Sequence, residues 1–212
     1  MRTHDVTGGG GTKLRVEEVG DPGGEPILLI HGLSQCRVAW REQFDSHLAD
    51  EFRLVAMDLR GHGQSEKPRD VYGDPQLWAD DVRAVVDSLG LDGVTLVGWS
   101  YGATVVADYL ATYGGEAVAG LQLVGPAVNV EGVAVDGGTL GKEMQELAPT
   151  MTSRDAEESI ETLESFVGLL TEGDLSPEQL YTILGYNAAV PPYVREGLLG
   201  VDHEPLPIDP GM

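Results

Sequence analysis

A doubly wound, mostly parallel α/β sheet carrying a helical insertion is the fold class that three features of the sequence predict. Apolar runs at residues 26–30, 52–57, 94–97 and 117–124 are continuous, as expected of strands buried on both faces. Stretches with helical periodicity lie between them, and parallel neighbours need such crossovers. After Pro126 no further strand pattern occurs, and helical patterns dominate to residue 199.

Residues 1–24 read as a glycine-rich hairpin, with short strands at 3–7 and 13–19 around Gly8-Gly9-Gly10-Gly11 and a turn at Asp21-Pro22-Gly23-Gly24. The four glycines suit a flexible turn, and they lack the helix and the Lys-Ser/Thr ending of a phosphate loop. Residues 38–50 place Trp40, Phe44 and Leu48 at i, i+4 and i+8, which predicts one helix. Asp74-Pro75 opens another as N-cap and first helical residue, with Leu77, Trp78, Val82, Val85, Val86 and Leu89 as its apolar stripe and Gly90 closing it. Paired Asp80-Asp81 reads as part of the solvated side of this helix.

The helical stretch beyond residue 126 begins with a loop-like segment at 127–138. A helix over 153–170 turns Ile160, Leu163, Phe166, Val167 and Leu170 to one face. Ser176-Pro177-Glu178-Gln179 is a capping-box start, and Pro191-Pro192 precedes a short last helix at 193–199. The domain division is therefore a core at 1–126, a cap-like insertion at 127–200 and a tail at 201–212.

Composition narrows the function classes. The 212 residues suffice for one core with one elaboration, and 42% are hydrophobic without any run near membrane-span length. Thirty-five acidic residues against 13 basic ones give a formal charge of −22. Such a field repels nucleic acid and anionic membranes, so neither is expected as a partner. The acids (Glu17, Glu18, Asp80, Asp81, Asp87, Glu157, Glu158, Glu161 and Glu164 among them) are scattered, as on solvated faces. With only three lysines, this surface is similar to those adapted to a high-salt cytoplasm, where screening relieves self-repulsion. An unchanged melting temperature between dilute and molar salt counts against that adaptation. No basic-plus-apolar leader opens the chain, which makes the cytoplasm the expected location. The single cysteine, Cys36, excludes an internal disulfide and an all-cysteine metal site, and its expected place is a buried one. No cofactor and no metal are expected.

The chemistry-bearing stretch is Val94-Thr95-Leu96-Val97-Gly98-Trp99-Ser100-Tyr101-Gly102-Ala103. A strand runs through Gly-x-Ser-x-Gly into a helix, the context of a nucleophile elbow, in which a strained turn projects the serine Oγ from the sheet edge. Gly98 and Gly102 fall where a Cβ would collide with the neighbouring element. Two further motifs end buried strands: His31-Gly32-Leu33-Ser34, and Asp58-Leu59-Arg60-Gly61-His62-Gly63-Gln64-Ser65.

These three motifs, in this order and spacing over residues 12–126, resemble the α/β-hydrolase superfamily. Within it the resemblance is to the small serine hydrolases related to cofactor-free haloperoxidases and esterases. It implies hydrolysis of small ester or acyl substrates, with Ser100 as nucleophile and the backbone N–H groups of Leu33 and Tyr101 as the oxyanion hole. Serine at position 100 argues against the dehalogenases and epoxide hydrolases of the superfamily, which use a carboxylate nucleophile. His31, His62, Arg60 and Ser65 are expected to shape loops. Trp99 and Trp40 either line the pocket or belong to the core.

The resemblance also implies an acid and then a histidine after the cap. The only histidine following Ser100 is His203, in Val201-Asp202-His203-Glu204-Pro205, without the Gly-His setting of the family base. The expectation is a chain ending at Met212 before the last strands, the acid and the histidine, which leaves residues 117–124 as a sheet edge open to self-association. Three functional classes stay open: a serine hydrolase, a truncated and catalytically silent relative, and a non-enzymatic small-molecule binding module.

Overall fold

The computed structural model describes residues 1–127, 141–171 and 173–199. Strands β1 (Arg2–Thr7), β2 (Lys13–Gly20) and β3 (Glu25–Ile30) come first, then short helices α1 (Arg41–Phe44) and α2 (Leu48–Glu51). They are followed by β4 (Phe52–Met57), α3 (Pro75–Leu89), β5 (Val94–Trp99), α4 (Tyr101–Tyr113) and β6 (Val118–Val124). The six strands form one sheet in the order β1-β2-β4-β3-β5-β6. The β3–β4, β3–β5 and β5–β6 pairs are parallel, while the hairpin β1–β2 and the β2–β4 pair are antiparallel. The predicted doubly wound, mostly parallel sheet is therefore present.

Helices α3 and α4 cover one face, where Trp78, Val82, Val85, Leu96, Val105 and Val106 are buried together. The other face carries a smaller cluster of Leu29, Trp40 and Ala56, with Ile27, Phe44, Val97 and Trp99 packed on it. The α3 boundaries follow the sequence signals: Asp74 accepts the Gln76 N–H at 3.0 Å, Pro75 begins the helix, and Gly90 ends it at φ 59°.

Two expectations need correction. Residues 38–50 do not make one helix; a 3-10 turn (Arg37–Trp40), α1 and α2 replace it. Ser46 accounts for the break, since its hydroxyl donates to Gln43 O at 2.8 Å and accepts the Leu48 N–H at 3.2 Å. These bonds compete with the helical ladder. Trp40 and Phe44 nevertheless reach the same apolar cluster.

The second correction concerns the acids. Asp81 is wholly buried, paired with the equally buried Arg60 at 2.7 Å, and it accepts the Gly9 N–H at 2.9 Å. Arg60 also donates to Gly9 O and Leu77 O, both at 3.0 Å. The glycine run is thus a 3-10 turn strapped to α3, not a loose tip. Glycine is required because a Cβ on Gly8 would lie 2.2 Å from Asp81 Oδ1, and one on Gly9 2.9 Å from Leu77 O. Glu18 is also buried, beneath Arg2, His4 and Arg53. Burial works against its ionisation, but Arg53 and His4 outweigh that and hold its carboxyl below the usual range.

Beyond residue 140 the described residues form helices α5 (Lys142–Leu147), α6 (Ala156–Leu170), α7 (Pro177–Ala188) and α8 (Pro192–Leu199). Asp155 caps α6 by accepting the Glu158 N–H at 3.0 Å, so that helix starts slightly later than its pattern suggested. Leu163, Phe166 and Val167 enter the core, whereas Ile160 faces solvent. The capping box at Ser176 and Gln179 is present in both directions. No described helix is long and apolar enough to cross a membrane.

Candidate active site

β5 delivers Ser100 to the start of α4, and the backbone there is bent out of both regular conformations. Ser100 has φ 52° and ψ −116°, a positive φ that a residue with a Cβ adopts only under constraint. The constraint is visible in its bonds. Its N–H donates to Val124 O at 2.9 Å, tying the ends of β5 and β6 together. Its carbonyl accepts from Ala103 N at 2.9 Å and Ala127 N at 3.2 Å.

The flanking glycines let strand, turn and helix approach this closely. A Cβ on Gly98 would lie 2.7 Å from Ala103 N, and one on Gly102 would lie 2.3 Å from Ile30 O. Gly102 therefore brings α4 against the end of β3, not against its own strand. The loop after β3 abuts the serine, because a Cβ on Gly32 would be 3.2 Å from both Ser100 Cβ and Trp99 O. Leu33, next after Gly32, and Tyr101, next after Ser100, are both buried. Tyr101 stacks edge-on with Trp78 at 5.7 Å, and burial raises its phenol well above the ordinary pKa.

The loop carrying Leu33 is held from several directions. Gly32 N–H donates to Gln35 Oε1 at 3.2 Å, and Gln35 N–H returns to Gly32 O at 3.3 Å. His31 Nδ1 lies 2.9 Å from Gly32 O, while its Nε2 accepts the Leu59 N–H at 3.0 Å. Those partners fix the neutral tautomer with the proton on Nδ1. Burial pushes the His31 pKa down to about 4, and burial with the neighbouring His31 pushes His62 to about 3. His62 Nδ1 contacts Arg60 O at 2.9 Å, and the two imidazole centroids are 5.1 Å apart. Both rings bond to loop backbone, as their sequence context suggested, and Ser65 does likewise by donating to Asp58 O at 2.6 Å.

Beneath this lies a charge network that sequence patterns did not reveal. Asp58 accepts from the Arg37 backbone N–H and guanidinium, each at 2.7 Å, and Arg37 also reaches Glu17 at 2.7 Å. It joins the loops after β3 and β4 to β2. Cys36 is buried beside it, and burial raises its thiol pKa to about 11, which leaves it a packing residue.

Trp40 is core, meeting Trp99 edge-on at 6.1 Å. Trp99 does more, forming part of the wall of a cleft of about 600 Å³ between Val38–Glu42 and α7, where Ile183 and Tyr186 face it. Ser100 is adjacent to this wall in sequence but is not among the cleft's lining residues. Among the described residues no group of three or more His, Cys, Asp or Glu side chains could hold a metal ion. His203 lies outside the described residues.

Residues 25–183 match the family described as the alpha/beta hydrolase fold. The chain belongs to that family. The esterase RhEst1 from Rhodococcus sp. ECU1013 superposes on this α/β-hydrolase with a TM-score of 0.86 and 36% identity, covering 96% of this chain and 74% of that one. The bifunctional esterase/perhydrolase DCH of Acinetobacter calcoaceticus is 37% identical over 119 residues, 56% of this chain and 43% of that protein. The soluble epoxide hydrolase of Corynebacterium sp. (strain C12) is 42% identical over 88 residues, 42% of this chain and 30% of that protein. The chain thus matches less than half the length of these curated relatives. The expected resemblance to the α/β-hydrolase superfamily, with esterases and cofactor-free haloperoxidases among its relatives, is borne out at the level of the family.

Proposed function

We propose that this α/β-hydrolase is a serine hydrolase of small ester or acyl substrates, with Ser100 as its nucleophile. The observation that carries the proposal is the positive φ of 52° at Ser100, held between β5, β6 and α4 with Gly32 packed against its Cβ. Strain at one non-glycine residue between strand and helix is what presents an Oγ to a carbonyl carbon. Attack moves negative charge onto the carbonyl oxygen. Leu33 and Tyr101 supply the backbone N–H donors for it, Tyr101 from the positive end of the α4 dipole. Losing one such donor typically costs about 3–4 kcal/mol of barrier. Helices α5–α8 act as the cap, and the Trp99 cleft takes part of the substrate. Similarity to an esterase and an esterase/perhydrolase supports the ester class. The presence of serine, where the superfamily's epoxide hydrolases carry a carboxylate, supports it over epoxide opening.

The test is labelling by a fluorophosphonate. Stoichiometric modification that disappears in Ser100→Ala is expected; equal labelling of the variant rejects Ser100 as nucleophile. A second reading, binding without turnover, draws on the histidines: both ring nitrogens of His31 are occupied, and His62 is buried against Arg60 O. An unlabelled Ser100 in a folded chain that still binds a small ester selects that reading. Through the outer edge of β6, self-association is proposed as well, and a monomeric sedimentation profile at high concentration refutes it.

A further inference from the structure

Ser34, next after Leu33, is a second non-glycine residue at positive φ, here 60°, and it is fully buried. The turn closed by Gln35 N–H on Gly32 O places Ser34 at its second central position, where a positive φ is required, and Ser34 meets that requirement with a side chain in place of glycine. Its partners come from the far helices: its hydroxyl donates to Asn187 O at 3.3 Å, and Arg195 of α8 approaches the same hydroxyl at 3.4 Å. Arg195 is itself 2% exposed, and no carboxylate of the described residues lies within ion-pair distance of it. Its guanidinium donates instead to three carbonyls: Met151 O at 2.5 Å, Val190 O at 2.9 Å and Asn187 O at 3.2 Å. A buried cation whose partners among the described residues are three carbonyls and a hydroxyl, with no carboxylate, is costly to keep, and burial lowers its pKa accordingly. The Asn187 carbonyl joins the two, accepting from Ser34 and Arg195 together.

We propose that Arg195 is a positioning residue: by knotting α7 and α8 onto Ser34 it holds the neighbouring Leu33 N–H in place beside Ser100. This rests on the reading of Leu33 as an oxyanion donor. Seating of the cap helices and readiness of the oxyanion loop are then one equilibrium, because the Ser34 hydroxyl is where the turn carrying Leu33 is bonded to Asn187 and Arg195. α8 has independent anchors, with Tyr193 Oη donating to Lys67 O at 2.9 Å and Arg69 lying 4.4 Å over the Tyr193 ring. Loss of the guanidinium therefore loosens the knot without detaching the helix.

The experiment is a double-mutant cycle read by backbone hydrogen exchange and by fluorophosphonate labelling. Arg195→Met is expected to speed exchange in the segment 31–36 about tenfold, the scale of one lost hydrogen bond, and to slow labelling similarly, with β5 unchanged. In a Ser34→Gly background, where the hydroxyl is absent and φ 60° is adopted freely, the same substitution changes both readouts less than about twofold. An additive cycle, or loosening of α7–α8 with full protection of 31–36, overturns the proposal and leaves Arg195 as packing. Should Arg195→Met fail to fold, Arg195→Lys, which keeps charge but loses the fork, is read the same way: faster exchange in 31–36 that Ser34→Gly cancels supports the knot, and unchanged exchange overturns it. If the parent chain is not labelled, the hydrolase reading falls while the exchange arm still decides the coupling.

Discussion

On one flank of the sheet, β4 has four of its six residues buried; on the other, β6 has none of its seven in that class. The β4 flank is fastened by charge: Arg60 on Asp81, Arg37 on Asp58 and Glu17, and Arg2 and Arg53 on Glu18, which His4 also contacts. β6 carries no charged residue, pairs only with β5 among the described strands, and leaves Leu121 and Val124 about 40% exposed. Ser100 stands between these flanks, with its carbonyl and N–H tied to the light side and Gly32 pressing from the heavy one. The contrast teaches that the loops on one side of Ser100 are fastened by buried ion pairs, while the strand on its other side is half exposed and pairs only with β5 among the described strands.

The sharpest way to break that contrast is to remove a buried charge. Asp81→Ala leaves Arg60 without its partner and is expected to cost about 3–5 kcal/mol in urea unfolding. A loss no larger than that of a surface change refutes the view that the pair fastens this flank. Acid is the next lever. The folded pKa values of His31 and His62, about 4 and about 3, lie below the ordinary 6.5, so the unfolded chain takes up protons first as pH falls. Their contribution is complete above pH 6.5 and drains away between there and pH 3–4, on the order of a few kcal/mol in all. Unfolding midpoints measured across that range should fall with pH, and His62→Gln should flatten the slope. The smallest effect belongs to β6. Leu121→Lys is expected to change stability by no more than about 0.5 kcal/mol, and a larger loss means that this strand is better covered than its exposure implies.

Much of this was legible in the sequence because it is written locally. Continuous apolar runs mark the parallel strands, Asp74-Pro75 and Gly90 mark α3, and Gly98 and Gly102 mark the turn at Ser100. The chemistry of residues whose partners are remote was not. Asp81 looks like any exposed helix carboxylate until Arg60, 21 residues away, and Gly9, 72 residues away, are brought to it. No local pattern singles out Arg195, and its 161-residue contact with Ser34 is what gives it a place near the site. The broken helix at 38–50 failed for the opposite reason, since a single hydroxyl, Ser46, outweighed a correct apolar spacing.

The strap between Gly9 and Asp81 also sets an order of events during synthesis. The hairpin that leads the chain cannot be clasped until α3 has left the ribosome, 72 residues later. At about 5–20 residues per second that is a wait of roughly 4–14 s. For the last 21 residues of that interval Arg60 also waits without Asp81, and the β1–β2 hairpin stays unclasped until α3 follows.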